Sequence, residues 1–290
     1  MATTTTAPAR LAGGASLPAA AGRAGFGGAL RSEFTKIRSV RSTYWTLLAL
    51  TVVCIGIGAL FSLGEASHVQ AFAGTRVGPH VAADARTHAV ALSLFGLLFG
   101  QLVIAVLGAV TITSEYATGM IRTSLTAMPR RGTMFAAKAV VFAAVALVTG
   151  LICSFGAFFT GQALMSGQHI NATLGQPHVL RAVVGGALFL AACGMLAYGI
   201  GAILRHTAGA ITASIVLLFV VSILVNALPG SWQDHVDKWV PAIAGSQIWA
   251  VKASGGNPPM FAPWTGFAVF CGYAAIAMIA GLILFRRRDA

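Results

Sequence analysis

Six apolar runs leave few folds open to this chain. They lie at about 45–63, 89–113, 134–159, 180–204, 208–228 and 265–285. Each approaches or exceeds the roughly 20 residues a helix needs to cross a hydrocarbon core. With 57% hydrophobic residues among 290 and a mean hydropathy of +0.82, a soluble domain is excluded. The expectation is an all-α, polytopic membrane protein with six transmembrane helices. The fourth and fifth runs are separated only by Arg205, His206 and Thr207, which predicts a tight helical hairpin.

The formal charge of +12 would suggest nucleic acid in a soluble protein. Here the placement of the bases decides. Arg10, Arg23, Arg31, Lys36, Arg38 and Arg41 precede the first run. Arg122, Arg130, Arg131 and Lys138 fall between the second and third, Arg205 in the hairpin turn, and Arg286, Arg287 and Arg288 after the sixth. Only Arg76, Arg86, Arg181, Lys238 and Lys252 fall on the other side. Cytoplasmic loops carry the excess of Lys and Arg, so both termini are expected in the cytoplasm, with no nucleic-acid partner.

Residues 1–27, rich in Ala, Thr and Gly with no compact apolar stretch, read as a disordered cytoplasmic tail. After it, Leu30, Phe34, Ile37 and Tyr44 recur at helical spacing, while Arg31, Lys36 and Arg38 point elsewhere. That pattern predicts an amphipathic arm, including Phe34, Lys36, Ile37, Arg38 and Arg41, that lies on the inner membrane surface and then turns into the bilayer. The outer loop 64–88 carries Glu65, His68, His80, Asp84 and His88 at spacings that fit no metal motif, and reads as a solvated loop. Cys54, Cys153, Cys193 and Cys271 all fall in apolar runs without a CxxC and read as core residues. No metal site is expected.

Between the fifth and sixth runs, Trp232, Trp239 and Trp249 stand among Asp234, Asp237 and Lys238, punctuated by prolines. Two short helices dipping into the outer leaflet, or a surface helix, would suit such an interfacial composition. Ala187/Ala191 and Ala277/Gly281 have the small-xxx-small spacing that lets helices approach closely, within one chain or between two.

Charge and hydrogen-bonding groups concentrate in Thr111–Lys138, although only 9% of all residues are charged. Within the runs themselves, Gln101 and Asn226 are the polar side chains placed to line a substrate path, and Gln101 could equally join helices. Neutral amides cannot cycle protons near neutral pH, and proton-coupled carriers usually need intramembrane acids or histidines. Gly132 to Lys138 has Walker A spacing, but Ala137 replaces the second glycine and Ala139 the Ser/Thr. Such a loop lacks the close backbone approach and the Mg²⁺ hydroxyl of a phosphate cradle. Ser154 lacks the first glycine of GxSxG. The chain is therefore not expected to be an enzyme or to bind a cofactor itself.

The loop reads Glu115-x3-Gly119-Met120-x-Arg122-x2-Leu125, followed by Pro129-Arg130-Arg131 and by Lys138 in the next span. The arm reads Glu33-x2-Lys36-x-Arg38-Ser39-x-Arg41. Over about 28–290 this resembles the permease subunit of ABC-2 type ABC transporters, particularly actinobacterial members paired with a separate ATPase. The resemblance implies an ATP-driven exporter of a lipophilic compound, peptide or lipid in the bacterial plasma membrane, with ATP and Mg on the partner subunit. It also implies a second permease, identical or homologous, and an ATPase docking on the 114–133 loop. Glu115, Tyr116, Gly119, Met120, Arg122, Leu125, Arg130 and Arg131 are the candidate coupling residues. Glu115 would pair with Arg122 or with a base of the arm. A secondary transporter or channel, or a membrane scaffold without an ATPase, are the rival classes.

Overall fold

A computed structural model describes residues 25–71, 79–118, 131–168, 170–251 and 260–287. Among them the chain is helical, with no strand. Helix α1 (Phe26–Ser39) precedes α2 (Arg41–Ala71), α3 (Pro79–Leu94), α4 (Leu97–Ala117), α5 (Arg131–Met165) and α6 (Val179–Leu204). Then come α7 (Thr207–Ile215), a π-helical turn at Val216–Val220, α8 (Val221–Asn226), the short α9 (Gly230–Val236) and α10 (Pro241–Ser246), and α11 (Pro263–Arg287).

Among the described residues six stretches are long and apolar enough to cross a membrane: Arg41–Ser67, Ala85–Ala117, Arg131–Met165, Val179–Leu204, Thr207–Asn226 and Pro263–Arg287. The protein is a multi-pass membrane protein. All six expected spans are present, several with polar turns added at their ends. Two local expectations change. The predicted loop 64–88 is helical on both sides of residues 72–78, with α2 continuing to Ala71 and α3 starting at Pro79. The second span is broken at Phe95–Gly96, where α3 hands over to α4.

Local chemistry sets the ends. Pro79, Pro241 and Pro263 each occupy the first position of a helix; a missing N–H costs nothing there, and the fixed φ is already helical. Residues His178 and Arg205, with φ of 68° and 55°, bracket α6 in the left-handed region. The hairpin turn then closes as His206 Nδ1 accepts from Gly209 N at 3.2 Å, capping α7.

Helix α6 is the hub: 67% of its apolar window is buried, against 17% for α11 and 22% for α2. It packs against α4, α5 and α11. Without a hydrophobic drive between helices in lipid, close backbone approach provides the attraction. At Gly108 of α4 a Cβ would overlap the carbonyl of Gly194 in α6, and at Gly199 it would fall 2.7 Å from the carbonyl carbon of Ala277 in α11. Ala277 and Gly281 face Gly199 and Ala202, and Ala187 faces Gly150. Ala187, Ala277 and Gly281 thus serve packing inside one chain, the first of the two alternatives for these stripes.

At the end opposite α1, Pro241, Ala242, Ala244 and Gly245 of α10 are buried. Phe270 and Phe189 press on Gly245. Arg181 donates to the carbonyls of Ile248 at 3.3 Å and Ala250 at 2.8 Å, fixing the chain after α10. Of the two expectations for this region, the structure forms two short helices, and the second is inserted into the bundle. Trp232 and Trp239 remain exposed.

Candidate functional site: a buried charge cluster beside the 119–130 loop

Four ionisable side chains from three helices meet where α4 ends and α5 begins. Glu33 and Lys36 come from α1, Glu115 from the last turn of α4, and Lys138 from the second turn of α5. Lys138 Nζ lies 2.7 Å from Glu33 Oε2 and 2.8 Å from Glu115 Oε1. Lys36 Nζ lies 2.8 Å from Glu33 Oε1 and 3.4 Å from Glu115 Oε1. Glu33, Glu115 and Lys138 are 1%, 4% and 6% exposed. Burying any one of them alone would be prohibitive, so they are retained as a neutral set of two carboxylates and two ammoniums.

The electrostatics of the arm follow from this arrangement. Burial pushes the Glu33 carboxyl up, but Lys138 and Lys36 outweigh that and hold it below the ordinary glutamate value. Burial likewise pulls the Lys36 ammonium down, and the carboxylates of Glu33 and Glu115 outweigh it and raise it. Both groups are therefore held in their charged forms.

An aromatic block lies against the cluster. Phe135 meets Tyr198 edge-on at 5.2 Å and Phe285 at 5.7 Å, and Tyr116 meets Phe285 at 6.4 Å. Arg205 stands 5.0 Å over the Tyr116 ring and donates to the Leu284 carbonyl at 3.1 Å. Thr207 donates to Thr113 at 3.0 Å, joining α7 to α4. The ends of α4, α5, α6, α7 and α11 are thereby tied to one another.

Glu115 meets a base of the arm, Lys36, as expected, and its alternative partner Arg122 lies outside the described residues. Tyr116 is half-buried beneath Arg205, and Arg131 opens α5. Gly119, Met120, Arg122, Leu125 and Arg130 lie outside the described residues. Phe34, Arg38 and Arg41 are exposed, and Ile37 is half-buried. Asn226, also exposed, donates to the Ser222 carbonyl at 2.8 Å and accepts from Gln233 at 3.3 Å. Gln101 is wholly buried, and neither end of its amide has a hydrogen-bond partner among the described residues.

Two members of the cluster were not singled out as site residues on sequence. Glu33 sat inside an arm whose apolar stripe looked like its contact face, whereas the buried residues of α1 are Ala29 and Glu33. Lys138 read as a flank of the third span. One signal could have found Glu33: apart from Asp289, it and Glu115 are the only acids on the base-rich side of the chain.

No known family matches the chain, and no curated protein matches it.

Proposed function

We propose that the chain is the membrane-spanning permease subunit of an ABC-type exporter, energised by a separate ATPase that docks on the 114–133 loop. The observation that carries this reading is the charge cluster at the base of that loop. It joins the helix entering the loop, the helix leaving it and the α1 arm through ion pairs of 2.7–3.4 Å. A push on the loop would then move three helices together rather than bend a flexible connection. The neighbouring aromatic block extends the same unit to α6 and α11.

In this reading both termini and the loop face the cytoplasm of a bacterial cell, on the side of the larger share of Lys and Arg. ATP and Mg belong to the partner. Gly132–Lys138, with its Walker A spacing, forms the first two turns of α5, and Lys138 is committed to two carboxylates. A second permease, identical or homologous, would complete the pathway for a lipophilic compound, peptide or lipid, moved by alternating access.

The test is to look for an ATPase with a Walker A motif encoded beside this chain and, with it co-expressed, to measure complex formation and lipid-stimulated ATP hydrolysis for the wild type, Arg122→Ala and Leu125→Ala. A stable complex whose assembly or coupling falls in both variants is expected. Wild-type assembly and coupling in both would refute docking at this loop. Substrate movement by the chain alone in liposomes under an ion gradient would favour a secondary transporter instead.

A further inference from the structure

We propose that the crevice between α1 and the first half of α5 holds an acyl chain of an anionic phospholipid, whose headgroup phosphate sits on Arg31. The inference rests on the six spans and on where α1 lies, and is independent of any ATPase.

The crevice has a volume of about 540 Å³ and is lined by Leu30 and Phe34 of α1 and by Val140, Ala144 and Val148 of α5. Phe34, Val140 and Val148 are each more than half exposed, so the crevice opens outward from the bundle. Its depth in the membrane follows from α5. That helix has 35 residues and is ~52 Å long at 1.5 Å per residue, far more than a hydrocarbon core of ~30 Å. Its charged beginning, Arg131 to Lys138, belongs at the membrane surface, which puts Val140–Val148 in the adjoining leaflet. Those nine residues span ~12 Å along the helix, a length that a stretch of acyl chain can follow. At this depth and facing outward, lipid is the neighbour.

Arg31 supplies the other half of the site. It borders the apolar crevice and also a polar hollow on the next face of α1, lined by Ser32, Thr35 and Ser39. Its guanidinium has no ion-pair or hydrogen-bond partner among the described residues. A planar guanidinium offers paired donors that match phosphate oxygens. The surroundings select an anion. Glu33 and Glu115 are sequestered within the bundle, while Arg31 and Lys36 line the hollow and Arg38 and Arg41, close by in sequence, stand exposed. A zwitterionic headgroup would bring its own cation into this field.

The test is native mass spectrometry of the full chain in detergent, titrated with phosphatidylglycerol or with phosphatidylcholine of identical acyl chains. One phosphatidylglycerol retained per chain, at least tenfold more tightly than phosphatidylcholine, is expected. Arg31→Glu and Ala144→Trp, which fills the crevice, should each weaken retention at least fivefold, while Arg287→Ala should not. Thermal unfolding checks that each variant folds, and Arg31→Glu, at an exposed position, serves alone if Ala144→Trp does not. Equal retention of both lipids, or retention unchanged in the folded variants, would overturn the proposal. So would displacement of the lipid by inorganic phosphate with no effect of Ala144→Trp, since the acyl chain would then be irrelevant. A chain dimer without lipid that Ala144→Trp dissociates would show the crevice to be a seam between copies, and the proposal would fail.

Discussion

Lys138 stands 2.8 Å from Glu115, joining the helix that enters the 119–130 segment to the helix that leaves it. The same ammonium is 2.7 Å from Glu33, so one side chain binds the α1 arm to both. Removing one member of a buried ionic set leaves an uncompensated charge and typically costs about 3–5 kcal/mol. Lys138→Met leaves two buried carboxylates to share Lys36 alone. It should lower the thermal midpoint in detergent by well over 5 °C and release α1 to proteolysis. Lys138→Arg, which keeps the positive charge between the two carboxylates, should retain most of the stability. A midpoint within 1 °C of wild type for Lys138→Met would mean that the cluster does not hold the helices together.

What could be read from the sequence follows from how local each feature is. A span announces itself within its own twenty residues, so all six were legible, and the Arg205–Thr207 turn with them. Lys36 and Glu115 are separated by 79 positions; which base meets which acid depends on how α1 folds back on α4 and α5. Glu33 was hidden for a related reason. The apolar residues Leu30 and Phe34 of the arm line an outward-opening crevice, and the face docked on the bundle carries an acid. Hydrophobic periodicity finds the apolar face, which belongs to lipid here, and says nothing of which polar residue turns inward. The small-residue stripes could not say whether their neighbour was the same chain or another until Gly199 and Ala277 were seen face to face.

The arm should stay docked over a wide range of pH. Glu33 is held below the 4.5 of a free glutamate, so its contribution is complete above that value and disappears as acid protonates it through its lowered pKa. Lys36 is raised above 10.5, so its contribution is complete below that value and disappears as base removes its proton. A fluorophore on Cys at Thr35 in α1, an exposed position, should report an unchanged environment between about pH 5 and 10, with release of α1 only outside that window. A transition centred near pH 7 would contradict the pairing described here.

Gly108 and Gly56 offer a matched pair of substitutions within spans. A Cβ at Gly108 would overlap the Gly194 carbonyl, whereas at Gly56 it would meet nothing within 4 Å. Forcing extra atoms into a close helix crossing costs about 1–3 kcal/mol, while Ala in place of Gly in an open helical position is neutral or favourable by up to ~1 kcal/mol. Gly108→Ala should therefore lower the thermal midpoint and Gly56→Ala should hold or raise it. The reverse order would place the tightest α4–α6 contact elsewhere.

Gln101 separates stability from function. Its side chain is wholly buried in α4, and its amide makes no hydrogen bond among the described residues. A buried amide without partners costs about 1–3 kcal/mol relative to one that is satisfied, so an apolar residue of similar size should fit this packing better. Gln101→Leu is expected to raise the thermal midpoint by several degrees. If the chain is the permease proposed above, so costly a group would be retained because the helices rearrange and the amide finds a partner, or the substrate, in another state. Gln101→Leu should then be both more stable and slower in substrate-stimulated turnover, measured on the reconstituted complex. A variant that is more stable and equally active would leave Gln101 without a role in the cycle. A less stable one would show that the amide is satisfied in the resting state, by a water or by a segment outside the described residues.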